Sequence, residues 1–553
     1  MADTEIESIK LLVKKNYLLF MKKHILYLGL VALLSCNASA QNKNAIKFSK
    51  TITKENAYEH LSVLASDEYE GRETGKKGAW MAADYIRNHF KSFGLKGPVN
   101  GNYFQKIDMV NYDLAQILTV DGQAAEAIKD FYIPGQTVAK DGFAFNTNSI
   151  LFVGYGLNKD GYNDFEGQNV AGKVVMLFKS GQPIGSPATT PATVRADALA
   201  LNGKLKFLTE NKATAVIVVD LTIDNMSSNL KAYLESSPLV MKTQENIDKM
   251  KAIQGLVTIN IGSVVAEKIF AAASTSIEGI KKKIADSGKP ASQEIKISVS
   301  ASAQKVEQPV RAENVLGFLE GSDPKLKKEV VVVTGHYDHI GLTTSGEDKV
   351  NNGADDDGSG TTGVLMLAEA FAKAKKAGYG PKRSILFMTV VGEEKGLLGS
   401  EWYSEHPIFP LENTITDLNI DMIGRGDKDH ESDNNFVYII GSDMLSSDLD
   451  RIGKKANKDY VNINLDERYN NRTDPNRFYY RSDHYNFAKH GIPVIFYFNG
   501  VHPEYHQPGD EIAKIDFPML AKRAQLVYFT AWELANGLKR PIVDKNDDGT
   551  PKK

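Results

Sequence analysis

Apolar and polar residues follow different rhythms along this chain. From about Ser49 to Gly97 the apolar positions recur at helical spacing. The stretch "KGAWMAADYIRNHFKSFGL" ends at Gly94 and Gly97-Pro98, the stop signals of a helix with one polar face. Between about 109 and 305 the pattern shifts to short β-type runs, "SILFVGYGL", "GKVVMLF" and "TAVIVVD", with Gly, Asn and Asp between them. Such runs predict strands. Helix-like "DALALNGKLKFLTEN" lies among them, and "STSIEGIKKKIADSGKPAS" reads as a helix and loop leaving the region. From about 310 a regular α/β alternation sets in. "EVVVVTGH" is a continuous β-branched run, as in a strand buried on both faces. "TTGVLMLAEAFAKAKKAG" predicts a helix ending at Gly378, and "RSILFMTVVGEE", "DLNIDMIGR" and "GIPVIFYFNG" predict further core strands.

These rhythms predict an α/β protein with a mixed, mainly parallel central sheet flanked by helices, interrupted by a smaller β-rich α/β domain. The expected division is residues 41–108 for the first part of the main domain, 109–305 for the insert, 306–540 for the second part and 541–553 for a polar tail. In that tail Asp544, Asn546, Asp548 and Gly549 mimic the first half of an EF-hand loop. The acid required at the twelfth position falls beyond Lys553, so the tail is read as solvated.

The chain has 553 residues, 42% hydrophobic and 24% charged, with a net charge of −3. That is an ordinary globular composition. No Lys/Arg block points to nucleic acid or to an anionic membrane surface. At the N-terminus, Met21-Lys22-Lys23, the apolar run Ile25 to Leu34 and Ala38-Ser39-Ala40 follow one another. This order is that of a secretory signal peptide, with a run too short to span a bilayer comfortably. Residues 1–40 are therefore read as a signal region whose true start is Met21, which implies a periplasmic or secreted protein. The single cysteine, Cys36, lies inside it. Cleavage after Ala40 leaves a mature chain without disulfide or zinc-thiolate chemistry. The alternative is a lipoprotein in which "LLSC" is a lipobox and Cys36 carries a membrane anchor.

Histidine use concentrates the chemistry. After His24, His60 and His89 no histidine occurs until His336, and the remaining eight lie between His336 and His506. His336 and Asp338 follow "VVVVTG", Glu393 and Glu394 follow "ILFMTVVG", and Asp421 lies in "DLNIDMIG". Several of these positions sit at the C-terminal end of a predicted strand, where open α/β sheets bind ligands. Imidazole and carboxylate are common non-sulfur ligands of zinc, and two histidines with three carboxylates could hold two Zn²⁺ with one carboxylate bridging. In "GEE" one acid can ligate while its neighbour stays free to take a proton. In "HYD", Asp338 could accept the second ring N–H of His336 and fix the ring. The run "NNGADDDGSG" places Asp355, Asp356 and Asp357 side by side just before the helix near Thr361, whose N-terminus favours negative charge.

At these residues the sequence resembles the M28 family of zinc peptidases, the co-catalytic di-zinc aminopeptidases. The resemblance rests on "ASDEYEGRETGKKG", "TGHYDHIG", "NNGADDDGSGTTGVLMLAEAF", "VVGEEKGLLGS", "LNIDMIG" and "PEYHQPGD". It spans roughly 45–105 and 310–535 and implies a zinc-peptidase-like fold. The block between, with "ILFVGYGL", "DFEGQNVAGKVVMLF" and "TAVIVVD", is similar to the protease-associated domain often inserted in the family. The resemblance implies that Asp356 bridges two zinc ions, that His336 and Asp421 hold one, and that Glu394 and His506 hold the other. It implies Glu393 as general base for a zinc-bound hydroxide and as the later proton donor to the leaving amine. It implies also that Asp338 orients His336 and that Tyr505 polarises the scissile carbonyl or holds the oxyanion. Asp357 takes the place of the residue that in relatives follows an often cis peptide bond.

The implied activity is removal of N-terminal residues from peptides with a free amine. The alternatives are a glutaminyl-cyclase-like acyltransferase on the same fold, which resembles a one-zinc version, and a receptor-like binding protein that has lost its ligands. Ser482, Asp483 and His484 either serve the pocket or cap a helix, and capping and helix entry are the favoured reading. His339, His490 and His502 are read as structural or surface histidines, and Asp355 as an exposed turn residue.

Overall fold

The computed structural model describes residues 41–553 except 160, 181–190, 254–255, 547 and 553. The signal-peptide reading lies outside the described residues. Among them, no helix is long and apolar enough to cross a membrane.

After the short helix Lys43–Ser49 come helices α1 (Lys54–Leu64) and α2 (Lys77–Phe93). In α2 the buried residues Ala79, Ala82, Ala83, Ile86 and Phe90 form one stripe, and Gly94 ends the helix at φ 85°. That left-handed position suits glycine. Strand β1 (Phe104–Lys106) follows, and then the chain enters the insert.

The insert carries β2 (Met109–Val120), β3 (Phe143–Phe152), β4 (Val174–Phe178), β5 (Ala215–Val219), β6 (Leu239–Met241), β7 (Val257–Ile261) and β8 (Gln293–Val310). They form a nine-stranded sheet in the order β6-β2-β8-β3-β4-β5-β7, completed by the short strands Phe131–Tyr132 beside β7 and Gln123–Ala124 beside β2. Its apolar side chains form clusters of their own, around Phe152 and Ile217 and around Val175 and Val216.

Two expectations for this region need correction. The helix Ile277–Ser287 does not leave the insert but feeds β8, and β8 runs past residue 305 to Val310. Val310 pairs with Met109, so the incoming and outgoing strands are neighbours, and a large insertion leaves the main sheet undisturbed. The outer half of β8 is exposed or half-buried at nearly every residue, which is why it gives no apolar signal in the sequence.

The main sheet adds β9 (Glu313–Leu319), β10 (Val330–His336), β11 (Ser384–Val390), β12 (Thr414–Ile420), β13 (Phe436–Ile440), β14 (Asn464–Asp466) and β15 (Val494–Phe498). The eight strands run in the order β1-β9-β11-β10-β12-β15-β13-β14. The four central strands β11, β10, β12 and β15 are mutually parallel, while β9 joins antiparallel to β11 and β13 antiparallel to β15. Every residue of β10, β11 and β12 is buried, because helices and loops cover both faces. Helices α3 (Gly360–Lys376), α4 (Leu398–Glu405) and α5 (Phe517–Asn536) complete the frame. One apolar cluster joins α1, α2, α3 and α5 to one face of this sheet, and it includes Met109 and Met241 from the insert. The polar tail lies on the surface of the main domain, where Asp544 accepts a hydrogen bond from Ser447 N at 2.9 Å.

Candidate metal centre

The C-terminal ends of the four parallel strands deliver the chemistry. His336 is the last residue of β10, Asp421 directly follows β12, and Glu393 and Glu394 lie just past β11. His506 comes from the loop after β15, and Asp356 from the turn before α3. The structure therefore brings together all five sequence-predicted ligands and Glu393.

Asp356 stands at the middle. Its Oδ1 lies 3.3 Å from His336 Nε2, and its Oδ2 lies 3.1 Å from His506 Nε2. His336 Nε2 is 3.7 Å from Asp421 Oδ1, and His506 Nε2 is 3.1 Å from Glu394 Oε2. Each Asp356 oxygen thus faces one histidine–carboxylate set. Glu393 Oε2 is 3.9 Å from His336 Nε2, beside the first set.

Whether these groups fit a metal can be tested on their spacing and bonding. Donor atoms about 2.1 Å from a tetrahedral ion lie about 3.4 Å from each other, and the separations above scatter around that value. Asp356 Oδ2 and His506 Nε2 are buried and make no hydrogen bond despite their closeness. Buried polar atoms without partners are rare, and an ion is one explanation for them. Two groups of donors, His336–Glu393–Asp421 and His339–Asp356–Glu394, each fall within 4.8 Å. Nitrogen and carboxylate oxygen are donors that zinc accepts. The residues present fit a pair of divalent ions.

The electrostatics without an ion point the same way. Burial lowers the affinity of His506 for a proton, but Asp356 and Glu394 overrule it and raise its pKa to about 10. Burial pushes the Glu393 carboxyl well above its ordinary range, with Asp421 and Glu394 adding to the rise against the counter-pull of His336. A concentration of acidic groups this deep in the protein suits bound cations.

The supporting residues differ from the sequence reading in four places. The His336 ring is held by the main-chain oxygen of Asp338, 3.0 Å from Nδ1, and not by its carboxylate, which is 3.8 Å away. The Asp338 carboxylate accepts instead from Thr74 Oγ1 at 2.6 Å and from Glu393 N at 3.3 Å. It positions the general-base candidate through the backbone. Second, Asp355 is fully buried, not exposed. It accepts from Gly424 N at 2.6 Å, Ser359 Oγ at 3.0 Å and Asn499 Nδ2 at 3.2 Å. Third, Ser482 does not cap the helix His484–Ala488 and neither does Asp483. Ser482 Oγ donates to Asp421 Oδ2 at 2.6 Å, and Asp483 accepts from Ser400 Oγ at 2.6 Å. Fourth, His339 is no bystander, because its Nδ1 lies 2.8 Å from Glu394 Oε1. Glu394 thus has one oxygen on His339 and the other near His506. His502 packs away from the donors, with Nε2 3.5 Å from Asp355, and His490 sits on the surface near Glu405.

Two further acids brace the site, Asp357 at the place the resemblance implied and Asp510, which the sequence reading missed. Asp357 ties three elements together, accepting from His336 N at 3.1 Å, Gly360 N at 2.8 Å and Met422 N at 3.0 Å. It follows a cis peptide bond after Asp356. Asp510 accepts from the backbone N–H groups of Asp355 and Asp356, each at 3.1 Å. The signal for it was its place in "HQPGD", but nothing local to the sequence shows that it reaches the DDD turn.

A cleft with about 350 Å³ of empty space, part of it open to solvent, lies beside His336, Glu393 and Asp421. Its far wall is apolar, made by Met422, Phe478, Phe496, Phe498 and Val501. Tyr505 lines it too, its ring stacked on His506 at 3.9 Å between centroids. Burial, reinforced by the charges of Asp356 and Glu394, keeps the Tyr505 hydroxyl protonated, so that it can donate a hydrogen bond.

Residues 314–531 match the family model "Peptidase family M28". This part of the chain belongs to peptidase family M28. Among the relatives, a "probable zinc metalloprotease" of Pyrenophora teres f. teres is 29% identical over 299 residues, 47% of this chain and 59% of that protein. A "probable leucine aminopeptidase" of Trichophyton verrucosum is 30% identical over 218 residues, 38% of this chain and 56% of that protein. The chain thus spans less than two thirds of the length of these curated relatives. The solved aminopeptidase from Aneurinibacillus sp. strain AM-1 aligns over 92% of this chain and 100% of its own, at 18% identity and a TM-score of 0.45.

Proposed function

We propose that this M28 chain is an exported aminopeptidase that works with two zinc ions and removes N-terminal residues from peptides. The observation that carries the reading is Asp356, with one carboxylate oxygen toward His336 and the other toward His506. His336, Asp421 and Asp356 hold one ion in this reading, and Asp356, Glu394 and His506 the other. Such a pair supplies Lewis-acid activation of water and of the scissile carbonyl.

The chain's own groups do the rest. Glu393, buried and set beside the metal donors without being needed as one, accepts a proton from the attacking water and returns it to the leaving amine. The Tyr505 hydroxyl donates to the carbonyl oxygen as negative charge grows there. The acids at the inner end of the cavity attract the free α-amine, and the apolar wall receives the first side chain and excludes water. Residues 109–310 are proposed as a protease-associated-type domain. The signal region ending at Ala40 supports export, and Cys36 would anchor the chain only if lipidated.

The test is hydrolysis of a panel of aminoacyl reporters by the full chain, with zinc, with chelator and with Glu393→Ala. Zinc-dependent cleavage of free-amine substrates, absent in the variant, is expected. Cleavage of N-blocked substrates in preference to free ones would sink the reading.

A further inference from the structure

We propose that Arg481 recognises a carboxylate on the substrate, borne either by an acidic first residue or by the free C-terminus of a dipeptide. The proposal rests on the peptidase reading of the site and names the substrate chemistry it favours.

Arg481 lines the same cavity as His336, Glu393 and Asp421, and among the described residues it is the only Lys or Arg that does. Its main chain is pinned close to the reacting centre, because the next residue, Ser482, is bonded to Asp421 at 2.6 Å. Its guanidinium lies 5.1 Å from the centroid of the Phe478 ring, and Nη2 lies 3.4 Å from Tyr505 Oη. Phe478 lies within cation–π reach of the guanidinium, and beyond the Nη2 contact with Tyr505 the other N–H groups are available to a ligand.

The pairing of nearby arginines sharpens the point. Arg425 lies 2.9 Å from Glu504, and Arg468 lies 2.8 Å from Asp466. No Asp or Glu among the described residues forms an ion pair with Arg481. Arg481 is itself exposed, and it shares the lining of the cavity with Phe478, Phe496, Phe498 and Val501. A guanidinium fork takes a carboxylate through two parallel hydrogen bonds. A neutral substrate fills the wall and leaves this group unused.

Two matched pairs separate the sources. Leu-Leu against Leu-Leu-amide reports the terminal carboxylate, and Glu-Leu-amide against Gln-Leu-amide reports an acidic first residue. We expect the acid member of one pair to be favoured about tenfold in kcat/KM, and that ratio to fall to near one in Arg481→Gln. Arg481→Lys should retain part of it, since an ammonium keeps the charge without the fork. Equal rates within both wild-type pairs would overturn the proposal. So would an Arg481→Gln that slows all four substrates alike, because Arg481 would then serve Tyr505 only. Calorimetric binding of Leu-Leu and Leu-Leu-amide to the zinc-loaded protein gives a second readout. If no substrate is cleaved, the peptidase reading fails, and the Kd ratio of this pair, with that of the Glu/Gln pair, in wild type and Arg481→Gln still decides the proposal.

Discussion

Arg72 Nη2 donates to the main-chain oxygen of Gly353 at 2.8 Å. The same guanidinium reaches Tyr337 O at 2.8 Å, Leu64 O at 2.6 Å and Asn352 O at 2.6 Å. One side chain from the N-terminal segment therefore clamps the ends of β10 and the DDD turn against α1. It is buried with no carboxylate in contact; burial lowers its pKa, and the charges of Asp356, Asp510, Asp357 and Asp338 oppose that. Arg72→Met strands several buried carbonyls, each costing about 1–3 kcal/mol. We expect a fall in Tm of several degrees together with weaker metal retention on dialysis. A Tm within one degree of wild type would remove Arg72 from this role.

Asp355 and Asp356 are adjacent yet should fail differently when changed. Asp356→Asn removes the shared ligand, so bound zinc by elemental analysis should drop while the Tm measured in chelator changes little. Asp355→Asn replaces an acceptor of three hydrogen bonds with a half-donor amide, and should cost about 1–3 kcal/mol of stability whether or not metal is present. Identical losses of zinc and Tm in the two variants would show that they act as one unit.

Glu393→Gln keeps the size and burial of the side chain but cannot accept the proton. Expected is a loss of about 10²–10⁴ in kcat with two zinc ions still bound and KM little changed. Loss of zinc on the same scale as in Asp356→Asn would make Glu393 a ligand instead of a base.

Much of this was legible in the sequence because strand ends advertise themselves. The β-branched runs leading into His336, Glu393 and Asp421 announce buried parallel strands, and the fold rule for such sheets places their ends together. What hid was the support. Asp510 and Arg72 act through backbone groups more than a hundred residues away, and no periodicity encodes that. Asp355 looked exposed because acids in Gly-rich turns usually are. Its burial depends on Gly424 N and Asn499 arriving from β12 and β15. His339 and Ser482 look like ordinary polar loop residues until Glu394 and Asp421 are placed beside them.

His60 supplies a pH test away from the metal centre. It is buried between α1 and α2, its Nδ1 2.9 Å from Tyr85 Oη and its ring edge-on to His89 at 4.7 Å. Burial, and then the neighbouring His89, lower its pKa from 6.5 to about 4, with Glu369 opposing. The unfolded chain therefore binds a proton in a window where the folded chain does not. Stability from this group is complete above about pH 6.5 and is lost as the pH falls toward 4, by up to about 3 kcal/mol. In His60→Gln that contribution is absent. Urea midpoints taken between pH 7.5 and 4.5 should fall less steeply in the variant than in wild type. The buried His484, lowered to about 3 by burial, titrates in both proteins and cancels in the comparison. Parallel curves for the two proteins would mean that His60 is protonated as readily in the folded chain as in the unfolded one.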